Sequence, residues 1–343
     1  MKKILLIIMP ALILTSGCSS KNKDNVEPNA AKQRIVVGYL PSWKMPYNPQ
    51  WQKITHLNLA FGSVNSDGLL DLTGIGIFAG CIVNAHSNNV KVLLSIGGGD
   101  SHGFSDVILN IDKRKILTDN MIKAINDFNL DGIDIDFEEW DGGPDGASAA
   151  DLLKRDALEN LYRELREKIG NGKLITAAVT ASWDNGGWGF YNCFSNTMHQ
   201  YLDFVSLMLY DETGPWSGTN VGQHATWNYF ENSINHWLNN KSLPKEKLVA
   251  GVPFYGYLFK SADSAEGAEA VAYSNILINF PNQDAHLKDN IGLLYYNGMQ
   301  TVERKAKYIV DNGLAGIMIW ELSYDTDIAD KSLLNVIYEA FKP

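Results

Sequence analysis

The sequence predicts an α/β fold, a closed (β/α)8 TIM barrel, and three observations support this prediction. Eight short β-rich runs of mostly Val, Ile and Leu recur along the 343-residue chain, as expected of parallel strands covered by protein on both faces. Amphipathic segments separate these runs, which is typical of repeated strand–helix units. No GxGxxG motif follows the first run, which disfavours the alternative fold, a doubly wound open sheet.

The predicted strands and helices alternate from residue 34 to the end of the chain. The strands are expected at 34–40, 54–61, 90–96, 132–137, 174–180, 204–209, 248–253 and 316–320. The helices with clear helical periodicity are expected at 117–128, 149–169, 226–238, 302–310 and 332–341. The longest interval between strands, 258–312, has 55 residues and also contains a helix. We therefore expect a single catalytic domain without a large insertion domain.

The first 33 residues are expected to direct and tether the chain rather than to fold with it. A short basic start precedes the apolar run 4–14, which is too short to span a bilayer. The small residues before Cys18 resemble the lipobox of bacterial lipoproteins, which implies removal of a signal peptide, 1–17, and lipidation of Cys18. Polar residues 18–33 would then form a flexible tether to a domain at 34–343. A plain secretory signal is the alternative, and both predict export, to the periplasm or the cell surface.

The composition disfavours several classes of function. Thirty-nine acidic residues outnumber 29 basic ones, so the net charge is −10 and a nucleic-acid partner is not expected. Hydrophobic residues make up 45% of the chain, which is enough for a large core. Nine Trp and 15 Tyr residues fit a surface that stacks against neutral sugars, although aromatic residues are also common in cores. Three cysteines are too few for a disulfide framework, so we expect buried free thiols at Cys81 and Cys193, with their pairing left open.

The segment 131–140, Asp-Gly-Ile-Asp-Ile-Asp-Phe-Glu-Glu-Trp, carries the pattern that indicates catalysis. Side chains alternate along a strand, so Asp134, Asp136 and Glu138 share one face and the apolar residues share the other. In a barrel the acidic face points inward and rises toward the C-terminal rim, where barrel enzymes carry their chemistry. Close carboxylates repel one another, so at least one is expected to hold a proton and act as a general acid. Glu138, nearest the rim, is the candidate.

Two other interpretations of these acids were open to the sequence. A polar edge strand would leave the acids in water, but the flanking apolar pattern is that of a buried strand. A divalent metal site would also use Asp and Glu oxygens. No His or Asn run surrounds the acids, and the seven His residues show no ligand spacing, so we expect no metal and no cofactor.

The acidic segment resembles the DGxDxDxE signature of glycoside hydrolase family 18, the chitinase family. Four further segments resemble family motifs in the expected order along the chain. They are 95–98 (SIGG) at the third strand, 208–211 (MLYD) at the sixth, 251–256 (GVPFYG) at the seventh and 318–321 (MIWE) at the eighth. The resemblance covers residues 34–343 and implies a retaining glycosidase built on one barrel.

The resemblance implies hydrolysis of β-1,4 links next to N-acetylglucosamine with the help of the substrate itself. Glu138 would protonate the leaving oxygen while the acetamido oxygen of the sugar attacks the anomeric carbon and forms an oxazolinium. Asp136 would orient the acetamido N–H, and Asp134 would share a proton with Asp136. Tyr210 would hydrogen-bond the acetamido oxygen, and Asp211 would contact the same sugar.

Aromatic and small residues at strand ends are expected to bind the sugar chain. By resemblance, Trp320 would form the floor beneath the sugar at the cleavage site. The same pocket would be lined by Tyr39, Phe61, Met208, Gly97 and Gly98. Trp216 is the best candidate for a further stacking platform, ahead of Trp43, Trp140, Trp183 and Trp188. Each residue also has a structural interpretation: core packing for the aromatic residues and Met, and turns with positive φ for the glycines.

The family contains chitinases, endo-β-N-acetylglucosaminidases that act on N-glycan cores, and non-catalytic glycan-binding relatives. An intact Glu138 disfavours the binding-only class, and the segment 210–224 resembles the chitinase branch. Many processive members carry an α+β insertion between strands seven and eight, and the interval 258–312 is too short for that domain plus a helix. We therefore expect an open groove, endo-type cleavage of oligo- or polysaccharides that contain N-acetylglucosamine, and a monomer.

Overall fold

The computed structural model describes residues 34–142, 146–181 and 192–342. The predicted signal peptide, the lipidation site Cys18 and the tether lie outside the described residues, as do Trp183 and Trp188. Within the described ranges, no helix is both long and apolar enough to cross a bilayer.

Eight parallel strands close into a barrel within the described residues, which confirms the predicted fold. Each strand pairs with its neighbours in the chain, and the first also pairs with the last, so the barrel sheet has no free edge. The strands are β1 Ile35–Pro41, β2 His56–Val64, β3 Lys91–Gly97, β4 Gly132–Asp136, β5 Leu174–Thr180, β6 Phe204–Met208, β7 Leu248–Pro253 and β8 Gly316–Trp320. A two-residue strand, Leu70–Asp71, pairs antiparallel with the end of β2.

The α-helices follow most of the barrel strands. They are α1 Ala79–Ser87, α2 Phe104–Leu109, α3 Ile111–Asp127, α4 Ala149–Ile169, α5 Trp227–Asn239, α6 Tyr273–Asn279, α7 Met299–Asn312 and α8 Leu333–Phe341. The connection from β1 to β2 holds two short 3₁₀ turns instead of an α-helix. Pro41, Pro46 and Pro49 interrupt this segment, and proline removes the backbone donor that a helix interior requires. The described part of the β5–β6 connection likewise holds only a 3₁₀ turn, at Met198–Gln200.

Helix α4 shows how local sequence sets the ends of an element. The Ser148 side chain accepts a hydrogen bond from the Asp151 N–H at 3.0 Å, and the Asp151 carboxylate accepts the Ser148 N–H at 2.9 Å. This capping box satisfies two N–H groups that the first turn leaves without helical partners. Gly170, with φ of 58°, ends the helix in a conformation that favours glycine. The helix therefore has the predicted bounds, 149–169.

Two apolar cores hold the barrel together. The larger one lies between the strands and the helices, and it includes the outward-facing Ile133 and Ile135 of β4. The smaller one fills the barrel interior and includes Val37, Phe204 and Val249. Because successive strand residues alternate between these two cores, the acids of β4 are directed inward by the same alternation that buries its isoleucines.

A compact unit separates β7 from α7. Its antiparallel sheet is built from the strands Tyr255–Leu258, Glu269–Ala272, Asn290–Ile291 and Leu294–Tyr295, and α6 packs beside it. No large insertion domain is present in the described residues, as predicted. The interval was nevertheless long enough for a small α+β unit, because strands of only two to four residues suffice. We call residues 255–295 the insertion.

The two described cysteines, Cys81 and Cys193, are buried free thiols, as expected. Burial raises the pKa of Cys81 to about 11 and that of Cys193 to about 12, so both thiols stay protonated at neutral pH.

Candidate active site

The acids of β4 lie at the carboxyl ends of the barrel strands. Asp134 and Asp136 are buried inside the barrel, and Glu138 follows two residues after the strand ends. The register pairs Ser95 with Asp134 and Gly97 with Asp136 on one side of β4, and Thr176 with Asp134 on the other. Residues of neighbouring strands therefore meet the acids at fixed heights in the barrel.

Asp134 is enclosed by hydroxyl groups. Its carboxylate accepts hydrogen bonds from Tyr39 at 2.6 Å, from Ser95 at 2.7 Å and from Thr176 at 2.5 Å. Burial raises the pKa of Asp134, while these donors oppose the rise because they stabilise the charged form. These three hydroxyl groups therefore donate to both oxygens of Asp134.

The Asp134 carboxylate and the hydroxyl groups around it are poorly arranged to bind a metal ion. The described residues contain no group of three or more His, Cys, Asp or Glu side chains arranged to hold one. The hydroxyl hydrogens that face Asp134 also occupy the oxygen lone pairs that a cation would require.

Asp136 is buried with one oxygen, Oδ1, that has no hydrogen-bond partner among the described residues. Desolvation raises the pKa of Asp136 well above its ordinary value, and the neighbouring charges of Glu138 and Asp134 add to the rise. Burial and these charges therefore favour the protonated form of Asp136, and a buried oxygen of this kind requires a polar partner.

Glu138 sits in the groove with its side chain open to solvent from one side, as a proton donor to substrate must be. The surrounding walls desolvate the carboxyl, and the charges of Asp211 and Asp100 act in the same direction, so the pKa of Glu138 is raised to about 7. A glutamic acid that stays protonated in mildly acidic solution can serve as a general acid.

Tyr210 places a buried hydroxyl at the same site. Among the residues that the structure describes, the hydroxyl donates only to the thioether sulfur of Met318, at 3.7 Å, and sulfur is a weak acceptor. Desolvation first, and then the nearby carboxylates, raise the pKa of Tyr210 well above its ordinary value. The hydroxyl thus stays protonated and can donate to a stronger acceptor.

Asp211 follows Tyr210 with a left-handed backbone, φ 63°, which Asp tolerates better than most residues. Its Oδ1 accepts the hydroxyl of Tyr255, the first residue of the insertion, and also lies 3.2 Å from Nδ1 of His224. The loop after β6 and the insertion are therefore joined at this carboxylate.

Two cavities meet at the acids. One, of about 440 Å³, is lined by Ser42, Trp43, Phe61, Ser63, Gly97, Gly99, Asp100, Ser101, Asp136, Glu138, Met208, Tyr210, Asp211, Tyr255 and Trp320. The other, of about 340 Å³, is lined by Glu138, Trp140, Thr180, Met208, Tyr210, Asp211, Trp216 and Tyr229. Glu138 and Asp211 belong to both, so the groove extends in two directions from the candidate general acid.

The predicted aromatic residues take up different positions around this groove. Trp320 stacks on Phe61 with ring centroids 5.7 Å apart and forms part of the first cavity. Trp216 is 49% exposed and meets the edge of Tyr257 in the second cavity. Trp140 is largely buried and its indole N–H donates to the Phe137 carbonyl, so packing accounts for most of its surface.

Tyr39 and Gly98 are not among the residues that line the groove, although both were predicted there. Tyr39 is fully buried under Trp320 and acts through its hydrogen bond to Asp134. Gly98 has φ of 89°, and a Cβ there would lie 2.8 Å from the Phe61 ring. Gly97, with φ of 114°, does line the groove, and a Cβ there would lie 2.0 Å from the Asp136 carbonyl oxygen. Both glycines are therefore required by the backbone, which has a positive φ and leaves no room for a Cβ at either position.

Several groove residues were missed from the sequence. Tyr255 lies within a motif that the sequence identified, but its bond to Asp211 depends on how the insertion folds back. The others lie at strand ends, in a helix or in loops and carry no pattern of their own; they are Ser42, Ser63, Asp100, Ser101, Thr180 and Tyr229. A separate cleft of about 310 Å³ lies outside the barrel at Trp227, where the Arg304 guanidinium covers the indole at 3.6 Å.

Comparisons with known proteins find chitinases that are similar in sequence and fold. A chitinase from Bacteroides thetaiotaomicron is 29% identical, with a TM-score of 0.76, and the match covers 90% of this chain and 96% of that structure. A chitinase from the chitin utilization locus of Flavobacterium johnsoniae is 30% identical, with a TM-score of 0.76 over 91% of this chain and 94% of that structure. A probable endochitinase from Caenorhabditis elegans is 32% identical over 59% of this chain and 36% of its own length.

The first four curated relatives are longer proteins, and the chain spans between 36% and 65% of their length. The family model of the glycosyl hydrolases family 18 matches residues 35–325, which includes all eight barrel strands and the column of acids. The chain therefore belongs to family 18 of the glycosyl hydrolases.

Proposed function

We propose that this protein is an endo-acting chitinase that hydrolyses β-1,4 links next to N-acetylglucosamine and retains the anomeric configuration. One observation carries the proposal. Within the described part of the chain, Asp136 offers a buried oxygen without a partner, and Tyr210 offers a hydroxyl with only a thioether partner, in the same cavity. An acetamido group has one N–H donor and one carbonyl acceptor, so it would satisfy both at once.

The reaction then follows from the position of the acetamido group. Glu138 donates its proton to the glycosidic oxygen as the bond from that oxygen to the anomeric carbon breaks. The acetamido oxygen forms a new bond to the anomeric carbon, and its positive charge is shared over the resulting oxazolinium ring. Glu138, now ionised, takes a proton from the incoming water, whose oxygen reopens the ring on the original face. Because the nucleophile is part of the substrate, this chain provides no nucleophilic side chain.

The buried pair of aspartates supports the charge that develops. Three hydroxyl donors stabilise the ionised form of Asp134 without water, while desolvation favours the protonated form of Asp136. The two carboxyls therefore titrate together, with one proton between them. Asp136 is able to accept the acetamido N–H through its free oxygen, which holds the acetamido carbonyl toward the anomeric carbon.

Endo-type cleavage is supported by the two cavities on either side of Glu138. The first, over Trp320, would hold the sugar that is attacked and those before it, and Trp43 extends this cavity toward the rim. The second, beside Trp216, would hold the leaving part of the chain. A polymer can occupy both directions at once, so cleavage requires no free chain end. The relatives named chitinases and a probable endochitinase favour chitin over N-glycan cores.

A product profile tests the proposal. The purified protein is incubated with chitin oligomers of defined length, with their N-deacetylated counterparts, and with a high-mannose glycopeptide. We expect internal cleavage of the acetylated oligomers and no cleavage of the deacetylated ones, because these lack the nucleophile. Cleavage of the glycopeptide alone would identify an N-glycan endoglycosidase, and binding without cleavage of any substrate would identify a glycan-binding protein. Tyr210→Phe, which removes one donor, is expected to lower kcat about 10²-fold.

We also propose that the protein is exported and anchored to a bacterial membrane through a lipid on Cys18. The basic start, the short apolar run and the small residues before Cys18 support this proposal. Labelled fatty acid should be incorporated into the full chain but not into Cys18→Ala, which should also be lost from the membrane fraction.

A further inference from the structure

His224 is completely buried between the loop after β6 and the insertion, and each of its ring nitrogens faces an oxygen. Nδ1 lies 3.2 Å from Oδ1 of Asp211, and Nε2 lies 3.1 Å from the backbone oxygen of Tyr255. A backbone carbonyl can only accept hydrogen bonds, and so can an ionised carboxylate. A neutral imidazole carries one N–H and can satisfy only one of these two oxygens.

We propose that His224 is a positioning residue, a buried imidazolium that donates from both nitrogens and holds Asp211 as an ionised, oriented carboxylate. Asp211 Oδ1 also accepts the Tyr255 hydroxyl, which fits a carboxylate oxygen that receives two donors. The role assigned to Asp211 in sugar binding rests on the proposed function, whereas the protonation of His224 does not.

The surroundings of His224 favour the charged pair. The titratable groups on the elements packed around it are Asp211, Glu212, Glu138, Tyr255, Tyr257 and Lys305. Asp211 is the carboxylate in direct contact with the ring, since Glu212 is engaged by the Thr226 hydroxyl. Lys305 donates to the Ala225 carbonyl and to Asn297, and burial lowers its pKa to about 7, which reduces the positive charge that opposes an imidazolium nearby. Imidazolium and carboxylate therefore compensate each other, with the imidazole fully buried and the Asp211 side chain open to the groove on one side.

The pair has a consequence at the general acid. The negative charge of Asp211 is one cause of the raised pKa of Glu138, and a positive His224 beside Asp211 limits that effect. A neutral side chain at position 224 should therefore raise the pKa of Glu138 further and shift the alkaline limb of the pH–rate profile to higher pH. A loss of packing alone would lower activity at every pH without moving the limb.

Two variants separate the hydrogen bond from the charge. His224→Asn keeps a neutral N–H near the position of Nδ1, and His224→Gln reaches the Tyr255 carbonyl instead. We expect both to raise the limb by about 0.5–1 pH unit. We expect His224→Gln, which loses the bond to Asp211, to have a kcat/KM about tenfold lower than His224→Asn. His56→Asn is the control, because His56 lies at the opposite end of β2 from the groove and should leave the profile unchanged.

Nitrogen NMR on the protein labelled with ¹⁵N-histidine decides the protonation directly. The His224 resonances are assigned by their absence in His224→Asn, and we expect a proton on both ring nitrogens across the active pH range. An unprotonated ring nitrogen in that range overturns the proposal, as does a limb that stays in place in both variants. The spectrum needs no substrate, so the inference can be tested even if the protein cleaves none of the glycans above.

Discussion

Two aspartates at opposite ends of one strand show how differently this barrel uses the same side chain. Asp131, at the start of β4, accepts hydrogen bonds from Lys91, His86 and the Val92 N–H, each at 2.9 Å. Burial alone would raise the pKa of Asp131, but these donors outweigh it and the pKa is lowered. Asp136, at the other end, has a raised pKa and an oxygen that no described residue partners. Hydrogen bonds at the amino-terminal end of β4 thus stabilise the charge of Asp131 and with it the fold. At the carboxyl-terminal end, an oxygen of Asp136 stays available to a ligand.

The largest effect on activity should come from the general acid, Glu138, beyond the carboxyl-terminal end of β4. Glu138→Gln keeps the size of the side chain but cannot give up a proton, so we expect kcat to fall about 10²–10⁴-fold while oligomer binding persists. Initial rates with soluble chitin oligomers and calorimetric titration of the same ligands measure the two effects. Retained turnover would show that another group supplies the proton.

The two aspartates themselves permit a matched test. Asp136→Asn removes the carboxyl that orients the acetamido group, and we expect kcat to fall at least about 10²-fold. Asp131→Asn removes the charge that Lys91 compensates and that the His86 ring and the Val92 N–H stabilise by hydrogen bonds, and we expect it to lower the free energy of unfolding by about 1–3 kcal/mol with little change in kcat. Urea unfolding and initial rates on both variants check this. The comparison fails if Asp131→Asn lowers activity as strongly as Asp136→Asn.

The lowered pKa of Asp131 also determines the pH range in which this residue contributes to stability. A carboxyl with a lowered pKa stabilises the fold fully above its ordinary pKa, and that contribution is lost as pH falls through the folded value. The share of stability supplied by Asp131 should therefore disappear in acid, and the difference between wild type and Asp131→Asn should narrow there.

The activity, in contrast to the stability, should respond to pH on the alkaline side. Glu138 acts as an acid only while protonated, and its pKa is raised to about 7, so kcat/KM should fall tenfold per pH unit on the alkaline side. Water in the groove opposes part of this rise, and we expect the limb between the ordinary glutamate value and 7. A profile with soluble oligomers from pH 4 to pH 9 measures it. A rate that stays constant to pH 9 would contradict a protonated Glu138.

The smallest effects should come from the exposed indoles. Trp216 is 49% exposed and Trp43 is 63% exposed, on opposite sides of Glu138. We expect Trp216→Ala and Trp43→Ala each to raise KM several-fold and to leave kcat almost unchanged, because each removes a stacking surface distant from the reacting atoms. The two variants should displace the cleavage position along a hexamer in opposite directions. Identical product profiles would mean that neither indole contacts the sugar chain.

Much of the barrel was predictable because its strands carry a strong and simple signal. The bounds of β5, β7 and β8 coincide with the predicted ranges, since buried parallel strands are continuous apolar runs with polar ends. Helix α1 was missed because Ala79–Ser87 has little charge and no clear amphipathic pattern. The insertion was missed because two-residue strands are too short for alternation to be visible.

The site was predictable in its acids but not in its hydrogen bonds. Alternation along one strand placed Asp134 and Asp136 inside the barrel. The choice of Tyr39, Ser95 and Thr176 as partners of Asp134 depends on the register between four strands, which no single stretch of sequence contains. The same holds for His224, whose two acceptors come from separate elements.

The left-handed backbone of Asp211 determines which mutations at that position can be interpreted. Asn and Gly adopt a positive φ readily, so Asp211→Asn and Asp211→Gly change the carboxylate while the loop keeps its course. Ala, the usual choice of a scanning experiment, or any β-branched residue would also strain the main chain between Tyr210 and the residues that follow. Lost activity in Asp211→Ala would then combine a chemical defect with a displaced Tyr210, and only the first two variants would separate them.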